Sequence, residues 1–99
     1  MALPATLAVL SHEVTVTLVQ DLRVQADRIG GVNLDGGRIV IDAEAPPSAQ
    51  RETLMHELFE VLNYRLELGM KHRQITALSE GLVDTLVRNP ALLEAYHHG

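Results

Sequence analysis

The segment Thr53-Leu-Met-His-Glu-Leu-Phe-Glu60 concentrates the side chains able to do chemistry. His56 and Glu60 are four residues apart, so on a helix both project from one face. Their directions differ by about 40° around the axis, at 3.6 residues per turn. Glu57 stands about 100° from His56 on the same side. Leu54, Leu58, Val61 and Leu62, widened by Met55, Phe59 and Leu66, point roughly the other way. One face therefore suits a core, and the other presents an imidazole and two carboxylates. An imidazole and a carboxylate one turn apart are donors for a divalent cation. A further carboxylate beside them is placed to take a proton from water.

The pattern His-Glu-x-x-His on a helix binds zinc through two imidazoles, and its glutamate deprotonates the bound water. In this chain Glu60 stands where the second histidine would be. A carboxylate is a legitimate zinc ligand, so a set of two imidazoles and one carboxylate must draw its second histidine from elsewhere. A second helix, from about Lys71 to Arg88, offers His72 and Glu80. Taking His72 as zero, the apolar stripe Ile75, Leu78, Leu82 and Leu86 centres at about 285°. His72 borders that stripe, whereas Glu80 falls nearer Arg73, Asp84 and Arg88. The spacing favours His56, Glu60 and His72 as ligands of zinc, with water in the fourth position and Glu57 as general base. His12 reads as a strand-edge residue, and His97 and His98 as part of a tail. No cysteine is present, so no thiolate site or disulfide framework is available.

The elements that must position these groups fit one domain. The chain has 99 residues, 46% of them hydrophobic, and a net charge of −5 from 8 basic and 13 acidic side chains. Its first half reads as strands and its second as helices, which predicts an α+β fold. We expect a small antiparallel or mixed sheet of three or four strands over residues 5–42. It packs against two antiparallel helices at 48–68 and 71–88, followed by a flexible tail at 91–99. Residues 13–19 alternate, with Val14, Val16 and Leu18 on one face and Thr15 and Thr17 on the other. Asp21 to Arg28 is polar and reads as a turn of helix. Gly31 to Leu34 and Arg38 to Asp42 flank Asp35-Gly36-Gly37, a hairpin signal. Pro46 and Pro47 end the strand region, Ser48 is the expected N-cap, Gly69 the expected stop of the first helix, and Asn89-Pro90 that of the second.

The acidic balance speaks against nucleic acid and anionic membranes as partners. Three aromatic residues leave no stacking platform for single-stranded bases. The apolar Met1–Leu10 segment has no basic residue before Arg23 and carries Pro4, so it reads as a first strand and not as a leader. No stretch reaches a membrane-spanning length, and the expected location is the cytoplasm.

Three segments together carry a family likeness: Ile39-Val-Ile-Asp42, Glu52-Thr-Leu-Met-His-Glu-Leu-Phe-Glu-Val-Leu-Asn63, and His72-Arg-Gln-Ile-Thr-Ala-Leu-Ser-Glu-Gly-Leu82, the last running on to Val87-Arg-Asn-Pro90. Over about residues 6–92 the chain resembles the small zincin-like proteins encoded by phages and prophages, which look like minimal gluzincins. The resemblance implies a zinc-dependent peptidase fold with His56 as first ligand and Glu57 as catalytic base. It also implies a glutamate ligand on the following helix, which maps to Glu80. Glu60 departs from the scheme, which has histidine there. If Glu80 also bound, His56 would be the only imidazole and the site would suit a harder cation than zinc. The departure either recruits His72 or leaves a weakened site. Two functions follow as expectations. One is a metallopeptidase whose peptide lies along the 31–42 hairpin edge. The other is an inactive zincin-fold module that binds a host or phage protein.

Overall fold

The alternation in the first half becomes a sheet with one buried face. In a computed structural model, which describes residues 3–21, 30–33 and 37–97, four strands form: β1 (Thr6–Val9), β2 (His12–Val19), β3 (Gly30–Asn33) and β4 (Arg38–Asp42). Three helices follow: α1 (Pro47–Arg65), α2 (His72–Arg88) and α3 (Pro90–His97). The fold is α+β, and the sheet is mixed, in the order β1-β2-β4-β3. β1 and β2 pair antiparallel, as do β3 and β4, while β2 and β4 pair parallel. The expected turn of helix at 21–28 lies, from residue 22 on, outside the described residues. So does the tip of the β3–β4 hairpin at 34–36, although the pair Asn33–Arg38 brackets it as expected.

Because successive strand residues face opposite sides, the register stacks Val14 beside Leu7 and Val16 beside Ile39 on one face. Val9, Val14, Val16, Ile39 and Ile41 are buried there, and α1 covers them with Val61, Leu54, Leu58 and Leu62. This is the helix face the apolar spacing predicted. Leu18, on the same side of β2, stays half exposed. Gly37 closes the hairpin with φ +62°, and its carbonyl accepts the Thr15 N–H at 2.8 Å. A Cβ at this position would stand 3.1 Å from the Glu13 carbonyl oxygen, so glycine answers both a backbone and a space requirement.

The join between sheet and helix is tied by side chains. Asp42 is buried, and its Oδ1 accepts the Glu44 N–H at 3.0 Å. From the first turns of α1, the Gln50 amide reaches back to the carbonyls of Ala43 at 3.2 Å and Ala45 at 3.0 Å. These bonds fix where α1 leaves the sheet. The helix does not begin on Ser48: Pro46 is its cap residue and Pro47 its first residue, with no side-chain cap. Proline's fixed φ suits a first helical turn, where its missing N–H costs nothing.

At its other end α1 stops at Arg65, three residues before the expected limit, and the reason bears on the site. Asn63 captures the linker. Its Oδ1 accepts the Met70 N–H at 2.8 Å, and its amide donates to the Met70 carbonyl at 3.3 Å. Glu67 and Gly69 take positive φ, 52° and 68°, to make that return. The chain doubles back along α1 before α2 starts. The Lys71 N–H, at the start of α2, is satisfied by the Gln74 side chain at 2.8 Å.

α2 packs on α1 through a different arc than its hydrophobic stripe suggests. Ile75 and Ser79 are buried, and Thr76, Val83 and Leu86 are half-buried. Leu78 and Leu82 remain 51% and 37% exposed. The covered arc lies roughly 60° from the expected stripe, toward His72. α2 meets the polar face of α1, so polar residues take part in the contact and two leucines turn outward. The expected tail is also more ordered than anticipated. Asn89 ends α2 with its amide on the Thr85 carbonyl at 2.8 Å, and Pro90 then opens α3, which runs to His97. A proline start followed by Ala-Leu-Leu-Glu-Ala, all good helix formers, accounts for it.

The Asn63 clamp has a measurable weight. Asn63→Ala should lower the stability to urea unfolding by about 1–2 kcal/mol, the cost of stranding two partly buried backbone groups. An unchanged midpoint and slope would show that the linker holds itself without it.

Candidate metal centre

The clamp sets the geometry of the site. His56 lies nine residues before the end of α1, about 13 Å along the axis at 1.5 Å per residue. A linker that simply ran off the helix end would leave His72 far from it. Returned by Asn63, the chain starts α2 beside the middle of α1. The His56 and His72 rings meet edge to face with centroids 4.9 Å apart and planes at 62°. Glu60, one turn beyond His56, completes a group of three. One ligand atom from each of His56, Glu60 and His72 lies within 4.8 Å of the other two. His56 and Glu60 are half-buried and His72 is exposed.

This group could hold a metal ion. Ligand atoms about 2.1 Å from a tetrahedral ion stand about 3.4 Å from one another. Separations of up to 4.8 Å close to that value by small rotations of exposed or half-exposed side chains. Two imidazoles and one carboxylate are donors that first-row divalent ions accept. The three residues are the set that helix-face spacing selected, with the second imidazole from α2.

Beside the group is an open depression of about 390 Å³. From α1 it is lined by Glu52, Thr53, His56 and Glu57, and from α2 by His72, Thr76, Ser79 and Glu80. Glu57 is 8% exposed, so its carboxylate sits in the wall and not on the rim. It forms part of this depression without belonging to the metal-capable group, which is where a base would be needed. Glu80 reaches the same depression but is exposed and outside the group. The geometry brings His56, Glu57, Glu60, His72 and Glu80 close together, with His72 and not Glu80 in the metal-capable group. Ser79 was not singled out. Its signal was only its place one turn after Ile75, and its hydroxyl donates to the Thr76 carbonyl at 3.0 Å. His12 lies elsewhere, in a second depression with Tyr64, Arg65 and Glu67.

The electrostatics favour a neutral ring at His56. Burial pushes its pKa below the ordinary 6.5, the charge of His72 pushes in the same direction, and Glu60 opposes both. Neutral imidazole is the form that binds metal.

Compared with protein-family models, curated proteins and solved structures, the chain matches none. No described helix is long and apolar enough to cross a membrane.

The direction of the His56 shift gives a test with a definite sign. The unfolded chain takes up a proton at His56 near 6.5, the folded chain only at lower pH. Between those two points the unfolded state holds more protons, so stability falls as pH falls through this window. Above 6.5 the term vanishes, and below the folded value it is constant. In the metal-free protein the His56 ring resonances should titrate by NMR with a midpoint below 6.5, and Glu60→Gln should move it lower still. A midpoint above 6.5 would contradict the packing described.

Proposed function

We propose that the chain is a small zinc-dependent peptidase, with His56, Glu60 and His72 as ligands and Glu57 as general base. The convergence of three donor atoms within 4.8 Å carries this reading. The composition of the set supports zinc, since two histidines and one carboxylate make a catalytic zinc site that keeps a position open. Zinc held there supplies Lewis acidity to a peptide carbonyl and to a water molecule. Glu57 takes a proton from that water and passes it to the departing amine nitrogen. The likeness to minimal gluzincins supports His56 as a ligand and Glu57 as the base, but it maps the last ligand to Glu80, where the geometry favours His72.

The sheet also offers an extended peptide an edge to pair with. β3 is an edge strand among the described residues and contacts α1. An extended peptide can add to such an edge through main-chain hydrogen bonds. The depression beside the metal group is shallow, and one lobe alone frames it, so shape selects weakly among side chains.

A non-catalytic reading draws on another feature. Leu78, Leu82, Leu93 and Tyr96 are exposed on the outer helices, and exposed apolar side chains in number mark protein contact surfaces. Under that reading the metal site is a structural element of a protein-binding module.

Metal content tests the proposal first. The purified protein should carry about one equivalent of zinc, the stoichiometry of a single three-ligand site. His72→Ala should weaken zinc binding by at least about tenfold and Glu80→Ala much less, because only the former removes a donor. Equal losses in the two variants, read by competition with a chromophoric chelator, would reject the donor set. Activity tests it second. Glu57→Gln should keep the zinc and lose about 10²–10⁴ in peptide hydrolysis, the usual worth of a positioned base. Zinc-loaded protein that cleaves no peptide leaves the non-catalytic reading.

A further inference from the structure

The walls of the depression are charged in one sense. Glu52 and Glu57 come from α1 and Glu80 from α2, and among the described residues no lysine or arginine lines the space. The cations nearest in sequence, Arg51, Lys71 and Arg73, are exposed and do not line it. Three hydroxyl residues, Thr53, Thr76 and Ser79, make up the rest of the lining beside the two histidines. Among the described residues no wholly apolar side chain takes part. The depression adjoins a group competent to hold a dication, and the charges can be summed around it. A divalent ion on two neutral imidazoles and the Glu60 carboxylate leaves +1. The Glu57 carboxylate would cancel that, and Glu52 and Glu80 would bring the total to about −2. A loaded site is thus still negative toward a substrate.

We infer that this depression selects a cationic group, the ammonium or guanidinium of a substrate peptide, through Glu52 and Glu80. The inference rests on the proposed peptidase reading for the statement that the ligand is a peptide. Glu52 and Glu80 sit on facing helices and line the same depression, so a cation entering it comes under the charge of both. Neither is a member of the metal group, which leaves both available to the substrate. The hydroxyls supply neutral hydrogen-bond partners for the remaining donors of an ammonium or guanidinium head, which has only donors to offer. An acidic side chain would face Glu52 and Glu80 with nothing to offset them. An apolar one would leave both carboxylates without a partner.

Two sources can supply the cation, a lysine or arginine side chain and a free peptide N-terminus, and the experiment separates them. Zinc-loaded full-length protein is titrated with short peptides identical except at one position, which holds lysine, norleucine or glutamate. Each is made with a free and with an acetylated N-terminus. Binding is followed by backbone amide shifts of residues 52–60 and 72–80. The cationic peptide should bind about fivefold or more tighter than the norleucine peptide and tighter again than the glutamate peptide. That preference should shrink as salt rises. In Glu52→Gln/Glu80→Gln it should fall to about twofold or less, while Glu94→Gln, on α3, keeps it. If the advantage follows the free N-terminus and not the lysine, the cation is the peptide's terminal ammonium. If it follows the lysine in acetylated peptides, it is the side chain.

Equal affinities across the three peptides would overturn the inference. So would a preference that survives the double variant, or no binding at millimolar peptide. The peptidase reading fails in a different way. A lysine peptide that binds as expected but is not cleaved removes the hydrolysis and leaves the recognition. Cleavage without charge preference does the reverse.

Discussion

Two hydrogen bonds from one side chain decide where the second helix begins. Asn63 receives the Met70 N–H and gives its amide to the Met70 carbonyl, and so turns the chain back along α1. Two residues later His72 enters α2 beside His56. Without that return, the nine residues between His56 and the end of α1 would separate the two imidazoles by about 13 Å of helix. The ring contact at 4.9 Å, the metal-capable group and the depression between the helices all follow from the same turn. Asn63 itself lies on the helix face of His56 and Glu60, spaced four and then three residues apart, so a single stripe of α1 carries both the site and its fastening.

α1 serves two layers at once, and the division of its surface explains the rest of the packing. Leu54, Leu58, Val61 and Leu62 close the sheet. The opposite side must then meet α2 with histidine and glutamate. A wholly apolar α2 face could not satisfy those groups, since buried polar atoms need partners. The contact arc accordingly includes His72, Thr76 and Ser79, with Ile75 as its main apolar anchor. Leu78 and Leu82 are displaced to the surface as a consequence. At the other end, Gln50 and Asp42 hold the start of α1 against the sheet, so the helix is fixed at both limits.

The strands, the core face of α1 and the Asn89-Pro90 stop were legible because each rests on local periodicity or on proline. Val14, Val16, Ile39 and Ile41 alternate, and alternation survives folding unchanged. The pairing of His56, Glu60 and His72 was legible for a related reason: two of the three are fixed by helix spacing, and His72 borders the stripe of its own helix. What escaped depends on tertiary contact. The rotation of α2 cannot be read from its hydrophobic pattern, because that pattern favours burying Leu78 and Leu82. It is the polar character of the neighbouring helix that overrides it. Ser48 attracts attention as a cap, yet the preceding pair of prolines starts the helix earlier. The order of α3 was missed since an eight-residue helix that opens on Pro90 carries little periodicity to read.

The parallel pairing of β2 with β4 has a kinetic meaning. The other strand neighbours are hairpin partners, and α1 and α2 are joined by six residues. Thr15 and Arg38, by contrast, are 23 positions apart, so their meeting is the slow loop closure among the strand contacts, with an entropy cost that rises only logarithmically in length. A lone hairpin is marginal in water, which leaves β1–β2 without independent standing until that seam closes. The amino-terminal hairpin and the rest of the domain are therefore joined into one cooperative unit through that ladder and the core beneath it. Weakening that seam would loosen the molecule from its amino-terminal side while the helix pair bearing the histidines still held together.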